Sequence, residues 1–153
     1  MESLARIAYE AASQSLDKQE RLLEEVRART GLVLAASSLA VAFLGRSAID
    51  NADRVLIALA LGSFAISVGA AIAVLLPRPN LTFALRGAGV YEGLYDFSGD
   101  LDEVYRRLTY DLDRFWDSND EVVGRLLRWF KLTAAAVVVE VVLLVAAVSD
   151  TVV

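Results

Sequence analysis

Residues 55–76 run for twenty-two positions without a charged side chain. As a helix rising 1.5 Å per residue they reach about 33 Å, enough to cross a hydrocarbon core about 30 Å thick. Two more apolar blocks accompany them. Thr30 to Gly45 carries no charge, and Arg46 can stretch its stem to an interface and let that block extend towards Ile49. Leu132 to Val148 is apolar or small apart from Thr133 and Glu140. Three such blocks predict an all-α integral membrane protein with three transmembrane helices, since a helix satisfies its interior backbone groups within one segment.

The charges lie between the blocks. Hydrophobic residues make up 56% of the 153-residue chain and charged ones 23%, a pairing that segregation along the sequence explains. A net charge of −5 and the lack of a basic stripe argue against a nucleic-acid partner. The chain has no cysteine and no histidine. Disulfide and thiolate chemistry are thereby excluded, as is a Ser-His-Asp triad, and the commonest metal ligand is missing. No nucleophile–base pair can be assembled, so the reading contains no enzyme, no cofactor and no metal.

Residues 2–29 are highly charged, unlike a signal peptide, and the block after them is expected to act as an uncleaved anchor. Over 1–29 the chain reads as a cytoplasmic amphipathic helix. Leu4, Ala8, Ala11, Ser15, Gln19, Leu22 and Val26 recur at steps of three and four, with no Gly or Pro between them. The eleven-residue spacing Leu4, Ser15, Val26 predicts a nearly straight helix. No breaker separates Val26 from Thr30, so this helix is expected to continue into the first span.

A short polar turn, 47–53, makes 30–76 a transmembrane hairpin with spans of about 30–49 and 55–76. Gly31, Ala35, Ser38, Ala42 and Gly45 form a stripe of small residues on the first span, and such stripes let helix backbones approach closely in lipid. On the second span, Ser63, Ser67 and Ala71 mark one small face, and Ala58, Gly62, Gly69 and Ala73 another.

Pro77 and Pro79 end that span. In the connector 77–100, Asn80 is expected to cap a short helix that Gly87 and Gly89 terminate. Its apolar residues, among them Leu81, Leu85, Tyr91, Tyr95 and Phe97, predict packing on other helices or in the headgroup region. Asp100 then opens a long helix, with Glu103 completing a capping-box-like pair. Leu101, Tyr105, Leu108, Leu112, Phe115, Asn119, Val122, Leu126 and Trp129 alternate steps of four and three, a seam that predicts coiled-coil-like packing over 101–131. Asn119 reads either as a polar seam residue that fixes register or oligomeric state, or as a cap at the seam's edge. The steps continue through Thr133 and Ala136 to Glu140, at the midpoint of the third span, 132–148.

Lysine and arginine counts set the orientation: five in 1–29, two in the turn (Arg46 and Arg54) and eight in 77–131. Positive charge on the cytoplasmic side places the N-terminus and the connector inside and the C-terminus outside, a multi-pass arrangement in the cell membrane. Trp129, Phe130 and Lys131 form an anchor at the inner boundary.

Glu140 is the residue that most invites a function. An ionisable group at mid-membrane costs at least ~2.5 kcal/mol on insertion scales, so it should face other helices or water. One reading is a proton-titrating or ion-contacting group on a pathway. The other is a structural carboxyl hydrogen-bonded to Ser37, Ser38, Ser63 or Ser67. The glycines of GAGVYEG (87–93) follow no strand, and the acidic residues at 96–103 do not fit a calcium loop, so neither is read as a site.

The polar helix LDKQERLLEEVRART running into GLVLAASSLAVAFLG, followed by a short turn and a second span, resembles the SLATT and Pycsar-type transmembrane effectors of bacterial conflict systems. The resemblance covers roughly residues 15–76; the third span has no counterpart in it. It implies a hairpin that oligomerises and breaches the bacterial inner membrane as an antiviral defence effector.

The expected protein is therefore a homo-oligomeric pore, channel or membrane-perturbing effector, because three spans leave no room for a water-filled path in one protomer. Glu140 and the small-residue faces of the first two spans would contribute to its interior, with Leu112, Phe115, Asn119, Val122 and Leu126 as packing residues. The alternative is a membrane-anchored scaffold whose coiled-coil-like helices recruit a soluble cytoplasmic partner.

Overall fold

The structure, a computed structural model, describes residues 3–51, 54–78, 81–85, 87–94 and 99–149. They form four helices, α1 (Leu4–Asn51), α2 (Arg54–Leu75), α3 (Gly87–Leu94) and α4 (Leu101–Ser149), and no strand is present among them. The all-α expectation holds. Three of the helices, α1, α2 and α4, are long and apolar enough to cross a membrane.

Helix α1 starts where Ser3 caps it. The Ser3 hydroxyl accepts the amide of Arg6 at 3.3 Å, and the Ser3 carbonyl takes the amide of Ile7 at 3.2 Å. A side-chain oxygen at this position satisfies one of the donors that a helix start leaves orphaned. From there α1 runs for 48 residues without interruption, so the continuity expected at Val26–Thr30 is present. Helix α2 ends as Leu76 donates its amide to Ile72 at 3.0 Å, immediately before Pro77. Proline lacks the donor that another turn needs.

The connector differs from expectation. Residues 81–85 are not helical, and Gly87 opens α3 rather than closing a helix. Glycine disfavours a helix interior, yet Gly87, Gly89 and Gly93 all lie within α3. The proposed cap at Asn80 and the aromatic residues Tyr95 and Phe97 lie outside the described residues. The start of α4 is also altered in detail. Asp100 caps it through its own carboxylate, 2.7 Å from the amide of Leu101, and through its carbonyl, which accepts from Glu103 and Val104. Glu103 does not complete a capping box. Its carboxylate is held by Arg106 at 2.6 Å and Arg107 at 3.3 Å. The bond from Arg106, with the one from Arg107 behind it, draws its pKa below the ordinary glutamate value. That preference is present above the unfolded-state pKa and is lost as acid titrates the carboxylate.

The chain divides into two compact units. The first comprises residues 1–24 and 78–124. Its core is Ala12, Leu16 and Leu112, with Tyr9, Leu85 and Phe115 packed against them. Tyr9 and Tyr105 meet in a tilted arrangement, their ring centroids 5.5 Å apart. Asn119, buried, grips the connector: its Nδ2 donates to the carbonyl of Thr82 at 2.7 Å, and its Oδ1 accepts the Thr82 amide at 3.3 Å. This is neither a bond across a helix seam nor an exposed cap.

The second unit comprises residues 25–77 and 125–153. Ala60, Leu144 and Ala147 are packed with Val41, Leu44, Leu56, Leu143 and Val148. Most of its other buried positions are small as well: Thr30, Ser37, Ser63, Ser67, Ala70, Ala71, Thr133 and Ala136. Large aliphatic and aromatic side chains point outward instead, Leu32 and Phe43 from α1, Leu61, Ile66 and Ile72 from α2, Val138 and Val142 from α4.

Candidate functional site

The burial pattern explains how Glu140 comes to lie inside. On α4 the residues at 112, 119, 126, 133, 140 and 147, each seven apart, are all 4% exposed or less. On α2 the buried positions Ala60, Ser63, Ser67, Ala70 and Val74 alternate steps of three and four. On α1 Leu16, Leu23, Thr30 and Ser37 repeat every seven. A heptad keeps one narrow stripe of each helix facing its neighbours. Glu140 occupies that stripe, and none of its surface is exposed.

Hydrogen bonds tie α4 to both of the other long apolar helices. From α1, Ser37 Oγ donates to Glu140 Oε2 at 2.8 Å. From α2, Ser63 Oγ donates to the carbonyl of Ala136 at 2.7 Å, one turn before Glu140. That carbonyl has a second lone pair, so it accepts the serine without giving up its helical bond. Interhelical bonds in apolar surroundings contribute about 0.6 kcal/mol each, so they orient the helices more than they stabilise them.

The remaining hydroxyls are turned away from the carboxyl. Thr30 Oγ1 donates to Val26 at 2.7 Å, Ser67 Oγ to Phe64 at 2.8 Å and Thr133 Oγ1 to Trp129 at 3.0 Å, each a carbonyl of its own helix. Ser38 points outward and donates to its own Leu34 carbonyl at 3.0 Å. Glu140 Oε1 is buried and has no hydrogen-bond partner. Of the four serines put forward from sequence, Ser37 reaches the carboxyl, Ser63 reaches the neighbouring carbonyl, Ser67 is buried without touching either, and Ser38 is outside.

The small-residue stripe of α1 does not pack within the chain. Gly31, Ala35, Ser38 and Ala42 are exposed and Gly45 is half-buried; a Cβ at Gly31 would meet nothing within 4 Å. On α2, Ser63, Ser67 and Ala71 are buried, whereas Ala58, Gly62 and Gly69 face outward. Leu112, Asn119 and Leu126 are buried as the seam predicts, Phe115 and Val122 are half-buried, and Val123 takes the buried place beside Val122. At 129–131 Trp129 and Lys131 are exposed and Phe130 half-buried. Sequence reasoning passed over Thr30 as a core residue. Its spacing of seven from both Leu23 and Ser37 is the signal that identifies it.

Glu140 is one carboxyl with a single donor, and no group of three or more His, Cys, Asp or Glu residues able to hold a metal exists among the described residues. Chemically the site offers one ionisable oxygen pair in surroundings that are otherwise uncharged. The fold and site together define an all-helical protein with three helices of membrane-spanning length and a carboxyl buried among them. No family model, curated protein or solved structure matches the chain.

Proposed function

We propose that this is a multi-pass membrane protein that self-associates and makes the bilayer permeable, in the manner of a pore-forming effector. The observation that carries the reading is Glu140, fully enclosed yet ionisable, and the one charged residue in the stretches 30–45, 55–77 and 132–149. An intramembrane carboxyl is expensive to keep and is a functional site by default. The outward surface supports the membrane placement, because side chains such as Leu32, Phe43 and Val142, all more than half exposed, belong against lipid. The exposed small residues of α1 supply a face on which a second copy can approach closely.

The burial of Glu140 changes its part in this scheme. It belongs to the interior of each protomer rather than to the wall of a pathway between protomers. With the basic residues of 1–29 and 77–131 on the cytoplasmic side, the N-terminus lies inside and the C-terminus outside. Purified protein reconstituted into liposomes should release a trapped dye, and Glu140→Gln should abolish the pH dependence of that release. Liposomes that stay tight at every pH and protein density would contradict the reading.

One observation favours a second role. The unit of residues 1–24 and 78–124 exposes Leu4, Tyr91 and Tyr110, a surface suited to a soluble partner. Tyr110→Asp would then abolish capture of that partner and leave permeability unchanged.

A further inference from the structure

Glu140 Oε2 accepts one hydrogen bond, from Ser37, and Oε1 accepts none. Every other buried hydroxyl of the unit is already engaged with a backbone carbonyl. No charge stands nearby to balance an anion. Helix α1 carries no ionisable group between Arg29 and Arg46, α2 none between Arg54 and Arg78, and α4 none other than Glu140 between Lys131 and Ser149. A carboxylate in such a place lacks a counter-ion and has a single donor for its several lone pairs. One carboxyl and one hydroxyl also fall well short of the six or more oxygens that a divalent cation gathers. The proton is the cation that fits.

We propose that Glu140 is a proton-binding site, occupied while α1, α2 and α4 are packed together and emptied when α1 separates from α4. The neutral acid leaves one of its two oxygens unpaired and carries no charge. The anion calls for water or further donors, and because Glu140 is wholly enclosed these reach it only if the helices packed around it part, as α1 does when the Ser37 bond breaks. Loss of the proton is therefore coupled to opening of the bundle at its centre. This rests on the placement of the unit in the bilayer, and not on leakage: tight liposomes would refute the permeability reading and leave the proton site intact.

The test is infrared spectroscopy of the full chain in lipid nanodiscs across a pH series, following the carbonyl stretch of a protonated carboxylic acid. At neutral pH the wild type should show this band, Glu140→Gln should lack it, and alkali should remove it from the wild type. Reaction with a lipid-soluble carbodiimide, which attacks protonated carboxyls, gives a second readout that needs no variant. The peptide containing Glu140 should gain the reagent at neutral pH, and its labelling should fall about tenfold per pH unit once the acid is the minor form. Identical infrared spectra for wild type and Glu140→Gln at neutral pH, or labelling at Glu140 that does not change with pH, would overturn the proposal.

Discussion

Asn119 shows how one residue type serves different ends according to what lies beside it. In the sequence it is a polar interruption of an apolar seam. In the structure both halves of its amide are spent on the backbone of Thr82, which has no helical neighbour to bond with. Truncation to alanine removes both bonds to Thr82, and because Thr82 is itself exposed water can take them up, so the cost is the net worth of the hydrogen bonds, about 0.5–1.5 kcal/mol each. Asn119→Ala is expected to destabilise the protein by that much per bond and to accelerate hydrogen exchange at the Thr82 amide. Unchanged exchange there would mean that the amide does not hold the connector. Glu140 was legible as an oddity from its surroundings alone, and its inward direction from the three-four steps that reach it. Which serine it meets was not legible. Ser37 and Ser38 are adjacent in sequence but about 100° apart around a helix, and the choice depends on a register that no single helix fixes.

Helix α1 records the limit of pattern reading at the scale of an element. Over residues 4–29 its apolar face is thin, mostly alanine and leucine, so two registers fit the sequence. The series Leu4, Ala8, Ala11, Ser15, Gln19, Leu22 and Val26 predicts an eleven-residue repeat, whereas the buried series is Ala12, Leu16, Gln19, Leu23 and Val26, so the two share Gln19 and Val26 and part elsewhere. Leu4 and Leu22 are exposed, and Leu16 is fully enclosed against Leu112 and Ala12. Burial therefore follows the heptad repeat of left-handed packing. The sequence of α4 made its seam plain because large residues mark it, while α1 takes its register from the helix it packs against. The contrast is measurable. Leu16→Ala is expected to cost about 2–5 kcal/mol of unfolding free energy, as large-to-small core changes do. Leu4→Ala should lie within about 0.5 kcal/mol of wild type. Equal effects would restore the eleven-residue register.

At the scale of the whole molecule, polarity is arranged differently in the two units. In the unit of residues 1–24 and 78–124, Leu16, Leu23 and Leu112 are buried and, among the described residues, no charged side chain is. In the unit of residues 25–77 and 125–153, Thr30, Ser37, Ser63, Ser67, Thr133 and Glu140 are buried beside Val74, Leu126 and Leu144, while Leu32, Phe43, Leu61, Ile66, Ile72, Val138 and Val142 are exposed. Close packing of small residues can hold helices together in lipid without any hydrophobic drive between them. The number of helices apolar enough to cross a membrane was legible because it depends on composition over some twenty residues. The outward aspect of the α1 stripe was not, because small residues suit contact within a chain and contact between copies equally well.

The account turns on what those outward aliphatic side chains touch, and the absence of native cysteine allows this to be read at single positions. Val142 is 61% exposed on α4, two residues beyond Glu140, and Leu22 is exposed on α1 in the other unit. In proteoliposomes permeabilised to admit the reagent to both faces, Leu22→Cys should react with a water-soluble maleimide. Val142→Cys should resist that reagent and react with a lipid-soluble one. Equal reaction of both cysteines with the water-soluble maleimide would show that water covers this face, and would contradict the membrane placement on which the account of Glu140 depends.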